Sequence, residues 1–267
     1  MRELHLFAGI GGGILGGMLL GHRCVGAVEI DPYCRKALLA RQRDGVLPSF
    51  PILEDVKEFD GKPWRGRVDV VCGGFPCTPW SSAGKRLGTA DPRHLWPEMA
   101  RIIGECRPRY VFAENVAAEA FREPFRDLRA MGYQLAPLLT LSAGDLGAPF
   151  ERSRVWLLAA DADRQGQHVE PEHAEVAGVP EARDAPRARL EKRQGERGDT
   201  RPQQPPAIGA TWRSTPRRLV RLVSGSASRV ESRKDRIRAV GNAQVPAVAA
   251  LAFRMMFERI VLVEMGA

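Results

Sequence analysis

The sequence has little of what characterises disulfide-rich, metal-binding or membrane proteins. It contains five cysteines among 267 residues, and they form no closely spaced Cys or His pairs of the zinc-binding type. No apolar run reaches the length of a transmembrane helix, and the first residues lack the basic start and long apolar stretch of a signal peptide. We therefore expect no disulfide framework, no metal site, no membrane association and a location in the reducing cytoplasm.

The chain does contain enough apolar residues for a folded core, together with an excess of positive charge. Hydrophobic residues make up 44% of the sequence, and the length suits one large α/β domain, alone or with a small lobe. The formal net charge is +8 and the pI is near 9.6, which favours an anionic partner. Charge alone does not choose the partner, because basic proteins bind many ligands.

The N-terminal part has the pattern of a nucleotide-binding unit. Glu3–Phe7 predicts a short strand, and the glycine-rich turn Ala8–Gly13 separates it from a predicted helix. The glycine spacing differs from the dinucleotide motif G-x-G-x-x-G, so the turn alone is weak evidence. A second predicted strand ends near Glu29, where an acid suits the hydroxyls of a ribose. Asp31 is predicted to cap the next helix, Pro32–Arg43.

The segment Val68–Ser82 contains the most distinctive pattern. Its apolar predicted strand stops at Gly73 and Gly74 and continues as a proline-rich loop. That loop therefore lies at the C-terminal end of a strand, where open α/β sheets bind ligands. Cys77 lies between two prolines, which restrict the direction of its thiol. A nucleophilic thiol needs such a fixed, partly exposed position; the alternative is a small buried cysteine beside a turn.

Predicted strands and helices alternate along residues 1–160, which indicates an α/β fold with a doubly wound, mostly parallel sheet. Tyr133–Leu141 is expected to form one of its strands. Residues 161–238 form an expected insert that is short, irregular and partly disordered, because Asp161–Pro206 has no aromatic side chain and few large aliphatic ones. Residues 239–267 contain an apolar predicted helix, Ala247–Val261, that returns to the main domain.

The C-terminal part of the insert differs from the rest because it is strongly basic. Arg213–Arg238 contains nine basic residues against two acidic ones, interleaved with Ser and Gly. The irregular spacing suits a loop that follows a phosphate backbone better than it suits an amphipathic helix. The alternative is a solvated basic surface. We take Arg213, Arg217, Arg218 and Arg221 as the candidate phosphate contacts.

Five short motifs follow one another along the chain. They are Phe7-Ala8-Gly9-Ile10-Gly11-Gly12, Gly74-Phe75-Pro76-Cys77, Glu114-Asn115-Val116, Arg152-Ser153-Arg154 and Gly241-Asn242. In this order they resemble the C5-cytosine DNA methyltransferase family over Glu3–Ala160 and Ala239–Phe257. The resemblance implies a Rossmann-like sheet that binds S-adenosyl-L-methionine (SAM), with a small, irregular target-recognition region in the insert. It also implies a DNA (cytosine-5-)-methyltransferase that acts on a flipped-out cytosine of double-stranded DNA.

The resemblance assigns roles to four catalytic residues. Cys77 would add to cytosine C6 and make C5 nucleophilic towards the methyl group of SAM. Glu114 would donate a proton or a hydrogen bond at N3, where negative charge develops. Arg154 would contact the O2 region, and Arg152 would support the loop. A glutamate at a strand end is otherwise a surface charge or a cap, and paired arginines there are otherwise solvated.

The resemblance also implies the cofactor and DNA contacts. The SAM-contacting residues would be Phe7, Gly9, Gly11, Glu29, Ile30, Asp55, Val56, Pro76, Leu95, Asn242 and Val245. Ser81, in the loop that carries Cys77, would contact DNA. Phe7 and Val245 have the simpler alternative of being core residues.

Several alternatives stay open at this point. A tRNA cytosine-5 methyltransferase of the same family would share every motif, and a non-catalytic SAM- or DNA-binding homologue would share most of them. A nicotinamide dehydrogenase would account for the glycine-rich opening but not for Pro76, Cys77 and Glu114. We expect a monomer without a metal, in the cytoplasm of a bacterial or phage-infected cell, acting alone or paired with a restriction endonuclease.

Overall fold

The computed structural model describes residues 1–76, 94–164 and 233–264. These ranges contain eight strands that form one sheet. The strands are Arg2–Leu6 (β1), Arg23–Val28 (β2), Ile52–Leu53 (β3), Val70–Gly73 (β4), Tyr110–Asn115 (β5), Tyr133–Leu135 (β6), Leu139–Ser142 (β7) and Ser153–Asp161 (β8). Their order is β3-β2-β1-β4-β5-β8-β6, and β7 pairs with β8.

The sheet is mostly parallel, as predicted. Strands β1 to β5 pair with their neighbours in parallel. Strand β8 runs antiparallel to β5, β6 and β7, so among the described residues it is the one strand of opposite direction. The carboxyl ends of β1, β2, β4 and β5 therefore meet at one edge, which is where an open α/β sheet binds its ligand.

Six α-helices accompany the sheet in the described ranges. They are Gly12–Leu19 (α1), Pro32–Arg43 (α2), Trp96–Cys106 (α3), Arg122–Ala130 (α4), Arg233–Asn242 (α5) and Pro246–Glu264 (α6). Helix α2 has the predicted bounds, and Asp31 caps it by accepting hydrogen bonds from the backbone N–H groups of Tyr33 and Cys34. Within the described residues, no helix combines the length and the apolar character needed to cross a membrane.

Two local predictions were wrong. Tyr133–Leu141 is not one strand but two, β6 and β7, because Pro137 interrupts the segment and lacks the N–H that a central strand position requires. The described end of the basic segment, residues 233–238, is not a loop but the first part of α5. This helix runs across the position at which we expected the insert to end.

Alternating side chains of the strands form cores on both faces of the sheet. On β5, Val111 and Ala113 belong to the cluster that includes residues of α3 and α4. Tyr110 and Phe112 belong to the opposite cluster, which includes residues of α6. This period of two on a strand covered on both faces is what a doubly wound fold requires.

Helices α1 and α6 approach closely on one face of the sheet. A Cβ atom added to Gly16 of α1 would lie 2.9 Å from the Cβ of Ala249 on α6 and 3.0 Å from the carbonyl oxygen of Pro246. A Cβ on Gly12 would overlap the backbone of Gln244. Glycine at these positions therefore lets the C-terminal helix lie against the glycine-rich turn, and the residues just before α6 reach the sheet edge.

Candidate active site

A cleft of about 570 Å³ opens at the carboxyl ends of β1, β2, β4 and β5. It gathers residues from distant parts of the sequence. The predicted site residues that line it are Phe7, Gly9, Glu29, Pro76, Glu114, Arg154 and Asn242. The cleft therefore contains members of both predicted sets, the cofactor contacts and the catalytic residues.

The glycine-rich turn presents its backbone to this cleft. Phe7 has a φ of 54°, which is rare for a residue other than glycine, and Gly9 has the same φ. A Cβ on Gly9 would meet nothing within 4 Å, so the φ angle rather than crowding calls for glycine there. An unusual conformation such as that of Phe7 is typically retained at binding sites, where the surrounding structure enforces it.

Glu29 links the glycine-rich turn that follows β1 to the start of α2, which follows β2. Its side chain is buried, and its carboxylate accepts hydrogen bonds from the N–H groups of Gly9 at 2.6 Å and Asp31 at 2.8 Å. Burial raises the pKa of Glu29, and these two backbone donors oppose the shift. Each carboxylate oxygen keeps a further lone pair, so the group can still accept hydrogen bonds from a ligand in the cleft.

Glu114 lies on the opposite side of the cleft, at the end of β5. One of its oxygens is 2.8 Å from Nε of Arg154, and the other is 3.4 Å from the donating Nε2 of Gln244. Burial raises the pKa of Glu114, and the positive charge of Arg154 opposes this effect. A Cβ on Gly74 would lie 2.7 Å from the Glu114 carboxylate, so glycine is needed at that position.

The two residues that directly precede Cys77 are well anchored. Asn115 donates from Nδ2 to the carbonyl oxygen of Phe75 at 3.1 Å. The Phe75 ring is buried, with centroids 5.5 Å from Trp96 and 5.7 Å from Phe121. Pro76 lines the cleft and is the last residue before Cys77 that the structure describes. The predicted site residues that lie outside the described ranges are Cys77, Ser81, Arg213, Arg217, Arg218 and Arg221.

The other four cysteines of the chain are poor nucleophiles. All four are buried, and burial raises the pKa of each thiol, namely those of Cys24, Cys34, Cys72 and Cys106. Cys34 lines the cleft, but burial and the nearby carboxylates of Glu29 and Asp31 raise its pKa to about 12. A thiolate is therefore disfavoured at every cysteine that the structure describes.

Seven predicted site residues do not line the cleft. Gly11 directly precedes α1 with a φ of 86°, and a Cβ on it would lie 2.9 Å from the side chain of Leu38. Arg152 donates to the carbonyl oxygen of Ala243 at 2.7 Å, and burial lowers its pKa. Val56 belongs to the core. The full set is Gly11, Ile30, Asp55, Val56, Leu95, Arg152 and Val245.

Two residues at the site had no predicted role. Gln244 contacts Glu114, and the only sequence signal for it is its position two residues after Asn242 in the last motif. Arg238 lines the cleft and forms an ion pair with Asp31 at 2.7 Å, although its basic segment suggested a phosphate contact. Both belong to a part of the chain that reaches the cleft only through the packing of α5 and α6.

Comparison with known proteins gives a consistent result. The family model described as "C-5 cytosine-specific DNA methylase" matches residues 1–250. The Type II methyltransferase M.Eco47II of Escherichia coli is 36% identical over 169 residues, which cover 60% of this chain and 39% of that protein. M.NgoMIV of Neisseria gonorrhoeae, also a Type II methyltransferase, is 35% identical over 165 residues, with coverages of 59% and 51%. The chain thus spans two fifths to about half of the length of these relatives.

Two solved structures share the fold over nearly the whole chain. A mutant of DNMT2 from Spodoptera frugiperda aligns with a TM-score of 0.62 at 16% identity, over 96% of this chain and 99% of that one. The Dnmt2 methyltransferase of S. pombe aligns with a TM-score of 0.60 at 19% identity, over 97% and 99%. Similarity at these identities shows the fold alone.

Proposed function

The chain belongs to the C-5 cytosine-specific DNA methylase family, and we propose that it is a DNA (cytosine-5-)-methyltransferase. Its reaction would transfer the methyl group of SAM to C5 of a flipped-out cytosine in double-stranded DNA. The observation that carries the proposal is the position of Glu114. This buried carboxyl lies beside Arg154, in the same cleft as Glu29 and the glycine-rich turn. The same cleft thus contains a carboxylic acid that can protonate the cytosine and a carboxylate that can bind the cofactor.

Cys77 would start the reaction by adding its thiolate to C6, which forms an S–C6 bond and makes C5 electron-rich. The protonated Glu114 carboxyl would give its proton to N3 as negative charge develops on the ring. Arg154 would orient Glu114 and stabilise the charge at O2. Bound SAM supplies an electrophilic methyl group. Loss of the C5 proton to water then expels Cys77, and the N3 proton returns to Glu114.

The residues of the cleft suit SAM. A volume of about 570 Å³ lies within the usual range for small-molecule sites, about 300–1,000 Å³. Glu29 would accept the ribose hydroxyls, and the exposed backbone at Gly9 would allow close approach of the ligand. Among the residues that line the cleft, we assign the surrounding contacts to Phe7, Pro76 and Asn242. The other predicted contacts do not line the cleft and stay predictions, namely Ile30, Asp55, Val56, Leu95 and Val245, while Gly11 shapes the turn.

The enzyme must bind the DNA backbone before a cytosine can be flipped out of the duplex and reach the cleft. We propose that Ser81 and the basic residues Arg213, Arg217, Arg218 and Arg221 contact the phosphate backbone, while residues 161–238 form the target-recognition region. We further propose that the enzyme acts as a monomer in the bacterial cytoplasm. A restriction endonuclease that recognises the same sequence would complete a restriction–modification pair, and the enzyme could also protect DNA alone.

Bisulfite sequencing tests the proposed function. DNA from cells that express the chain should contain cytosines that resist bisulfite conversion at one recurring sequence, and DNA from cells that express the Glu114→Gln variant should not. Fully converted DNA in both samples would contradict the assignment. Protected cytosines in tRNA together with fully converted DNA would move the substrate to RNA.

The Glu29→Ala variant should bind SAM more weakly by about 1.5–3 kcal/mol, which corresponds to a rise in Kd of about 10- to 150-fold. The variant loses the charged acceptor proposed for the ribose hydroxyls. Isothermal titration calorimetry measures the effect. Glu54→Ala is the matched control, because Glu54 lies near the same strand ends and is exposed, and within the described ranges its side chain forms an ion pair with Arg35 alone. Unchanged SAM affinity in the Glu29 variant would confine Glu29 to holding the turn.

A further inference from the structure

A second polar cavity lies behind the cleft, between the sheet and the helices α1 and α6. This chamber has a volume of about 50 Å³. Its walls share Phe7, Gly9, Gly74, Glu114 and Asn242 with the cleft, so an ion could enter the chamber from there. A buried water needs about 10–15 Å³, so the chamber has room for a metal ion together with a water ligand.

Three side chains of the metal-binding type meet in the wall of this chamber. They are Glu3 and His5 of β1 and Cys72 of β4, and all three are buried. Glu3 and His5 are two residues apart on a strand and therefore point to the same face of the sheet. Cys72 is the register partner of His5 on the neighbouring strand. One ligand atom from each of the three lies within 4.8 Å of the others.

Helix α1 covers these side chains without adding any of its own. It contributes only Gly13, Gly16 and Gly17 to the chamber wall. A Cβ atom on Gly17 would overlap the carboxylate of Glu3, and one on Gly13 would lie 3.4 Å from Nδ1 of His5. Glycine at these positions therefore keeps the space next to the three side chains open.

Cys72 faces this space without a partner. Within the described ranges its Sγ has no hydrogen bond and no disulfide, although it is buried. The buried thiols of Cys24 and Cys106, in contrast, each donate to a backbone carbonyl oxygen. A buried polar side chain that lacks a partner and lines a cavity indicates that something else binds it.

We propose that Glu3, His5 and Cys72 bind a Zn²⁺ ion, with water from the chamber as the fourth ligand. The inference does not depend on the proposed function. Nitrogen, sulfur and oxygen donors together suit zinc, whereas a thiol is a poor ligand for Mg²⁺ or Ca²⁺. A carboxylate and a thiolate balance the two charges of the ion, so the buried site as a whole is neutral.

The ion would take the place of a proton between Glu3 and His5. Oε2 of Glu3 now accepts the Nε2 proton of His5 at 2.8 Å. On binding, the imidazole carries that proton on Nδ1 instead. The S–H bond of Cys72 breaks, a Zn–S bond forms, and the thiol proton leaves to solvent. Ligand atoms of a tetrahedral zinc ion are about 3.3–3.6 Å apart, so the three side chains need shifts of about 1 Å.

His22 would support the site without binding the ion. Its Nδ1 is 2.7 Å from Oε1 of Glu3, which leaves Oε2 for the ion, and His22 does not line the chamber. A hydrogen bond of this kind fixes the orientation of a metal-binding carboxylate. No local pattern predicted this site, because the pairing of β1 with β4, rather than a short motif, brings the ligands together.

Calorimetry with Zn²⁺ alone tests the site on the full chain after treatment with a chelator. We expect one ion per chain, with a Kd of about 1 µM or tighter. Co²⁺ provides a spectroscopic signature, because a tetrahedral cobalt site with a thiolate ligand gives strong visible bands and a sulfur-to-cobalt charge-transfer band. Both should appear in the wild type at one equivalent of Co²⁺.

Cys72→Ser should lose the charge-transfer band and raise the Kd for Zn²⁺ by about a hundredfold or more, because a hydroxyl does not replace a thiolate ligand. Cys24→Ser is the matched control. Cys24 is equally buried and is the register partner of Glu3 on β2, but it does not line the chamber. Cys77→Ser should also keep the band, since the proposed nucleophile is not a ligand. His22→Gln should keep it with a Kd raised by about tenfold.

Three outcomes would overturn the zinc site. They are the absence of saturable Zn²⁺ binding by the wild type, a charge-transfer band that survives Cys72→Ser, and loss of the band in Cys24→Ser or Cys77→Ser. If Cys72→Ser does not fold, His5→Gln replaces it and should weaken Zn²⁺ binding to a similar extent, and unchanged affinity in that variant would equally refute the site. None of these measurements uses methylation, so an inactive chain that binds zinc refutes the proposed function alone.

Discussion

Cys77→Ser should abolish methyl transfer to DNA while SAM affinity stays close to that of the wild type. The proposed reaction begins with a thiolate that adds to C6, and a serine hydroxyl stays protonated in the same pH range. We expect the single-turnover rate to fall by about a thousandfold or more, as when other covalent nucleophiles are removed. A radioactive methyl-transfer assay measures the loss, and calorimetry with SAM shows that the cofactor site is intact.

The control for this variant is Cys106→Ser. Cys106 is buried at the end of α3, away from the cleft, and donates a hydrogen bond from Sγ to the carbonyl oxygen of Gly61, which a serine hydroxyl can replace. DNA containing 5-fluorocytosine adds a direct readout. Fluorine at C5 cannot leave as a proton does, so the wild type should stay covalently bound and Cys77→Ser should not. Wild-type turnover by the serine variant would refute the nucleophile.

Local patterns were sufficient for the parts of the fold in which consecutive residues decide the outcome. The Asp31–Pro32 pair predicted the start of α2, and the Gly73–Gly74 pair predicted the end of β4 shortly before Cys77. The same reasoning failed for Tyr133–Leu141. Its apolar composition led us to predict one strand, but the structure has two strands, one on each side of Pro137. The direction of β8 was equally out of reach, because strand pairing depends on connections that no local pattern encodes.

In the candidate site, too, the sequence predicted the residues that belong to short motifs and missed those that meet only in the folded protein. Glu114 and Arg154 were recognised from short motifs, and the structure brings them within 2.8 Å of each other. Gln244 was not recognised, because it is 130 positions from its partner Glu114 and meets it only after α6 has packed on α1. The contact between Glu3 and His22 depends likewise on the turn after α1 folding back beside β1. Such contacts follow from tertiary packing.

Glu114→Gln should lower the methylation rate by about a hundred- to ten-thousandfold, the usual contribution of a positioned acid. The amide keeps the shape of the side chain and can still donate a hydrogen bond to N3, but it has no proton to transfer. The variant also loses the charge that pairs with Arg154. Glu105→Gln is the matched control: Glu105 forms a similar ion pair with Arg101, at 2.9 Å, on α3 and outside the cleft.

The pH profile separates proton transfer from simple hydrogen bonding at Glu114. Only the protonated carboxyl can give a proton to N3, so the wild-type rate should fall as pH rises through the pKa of Glu114. Burial raises that pKa, and this fall should therefore lie above the ordinary range of a glutamic acid, about 4.3. The residual rate of Glu114→Gln should lack the fall, because its amide does not titrate. A variant that loses rate but keeps the wild-type profile would show that another group governs the titration, and Glu114 would then act only by orienting the base.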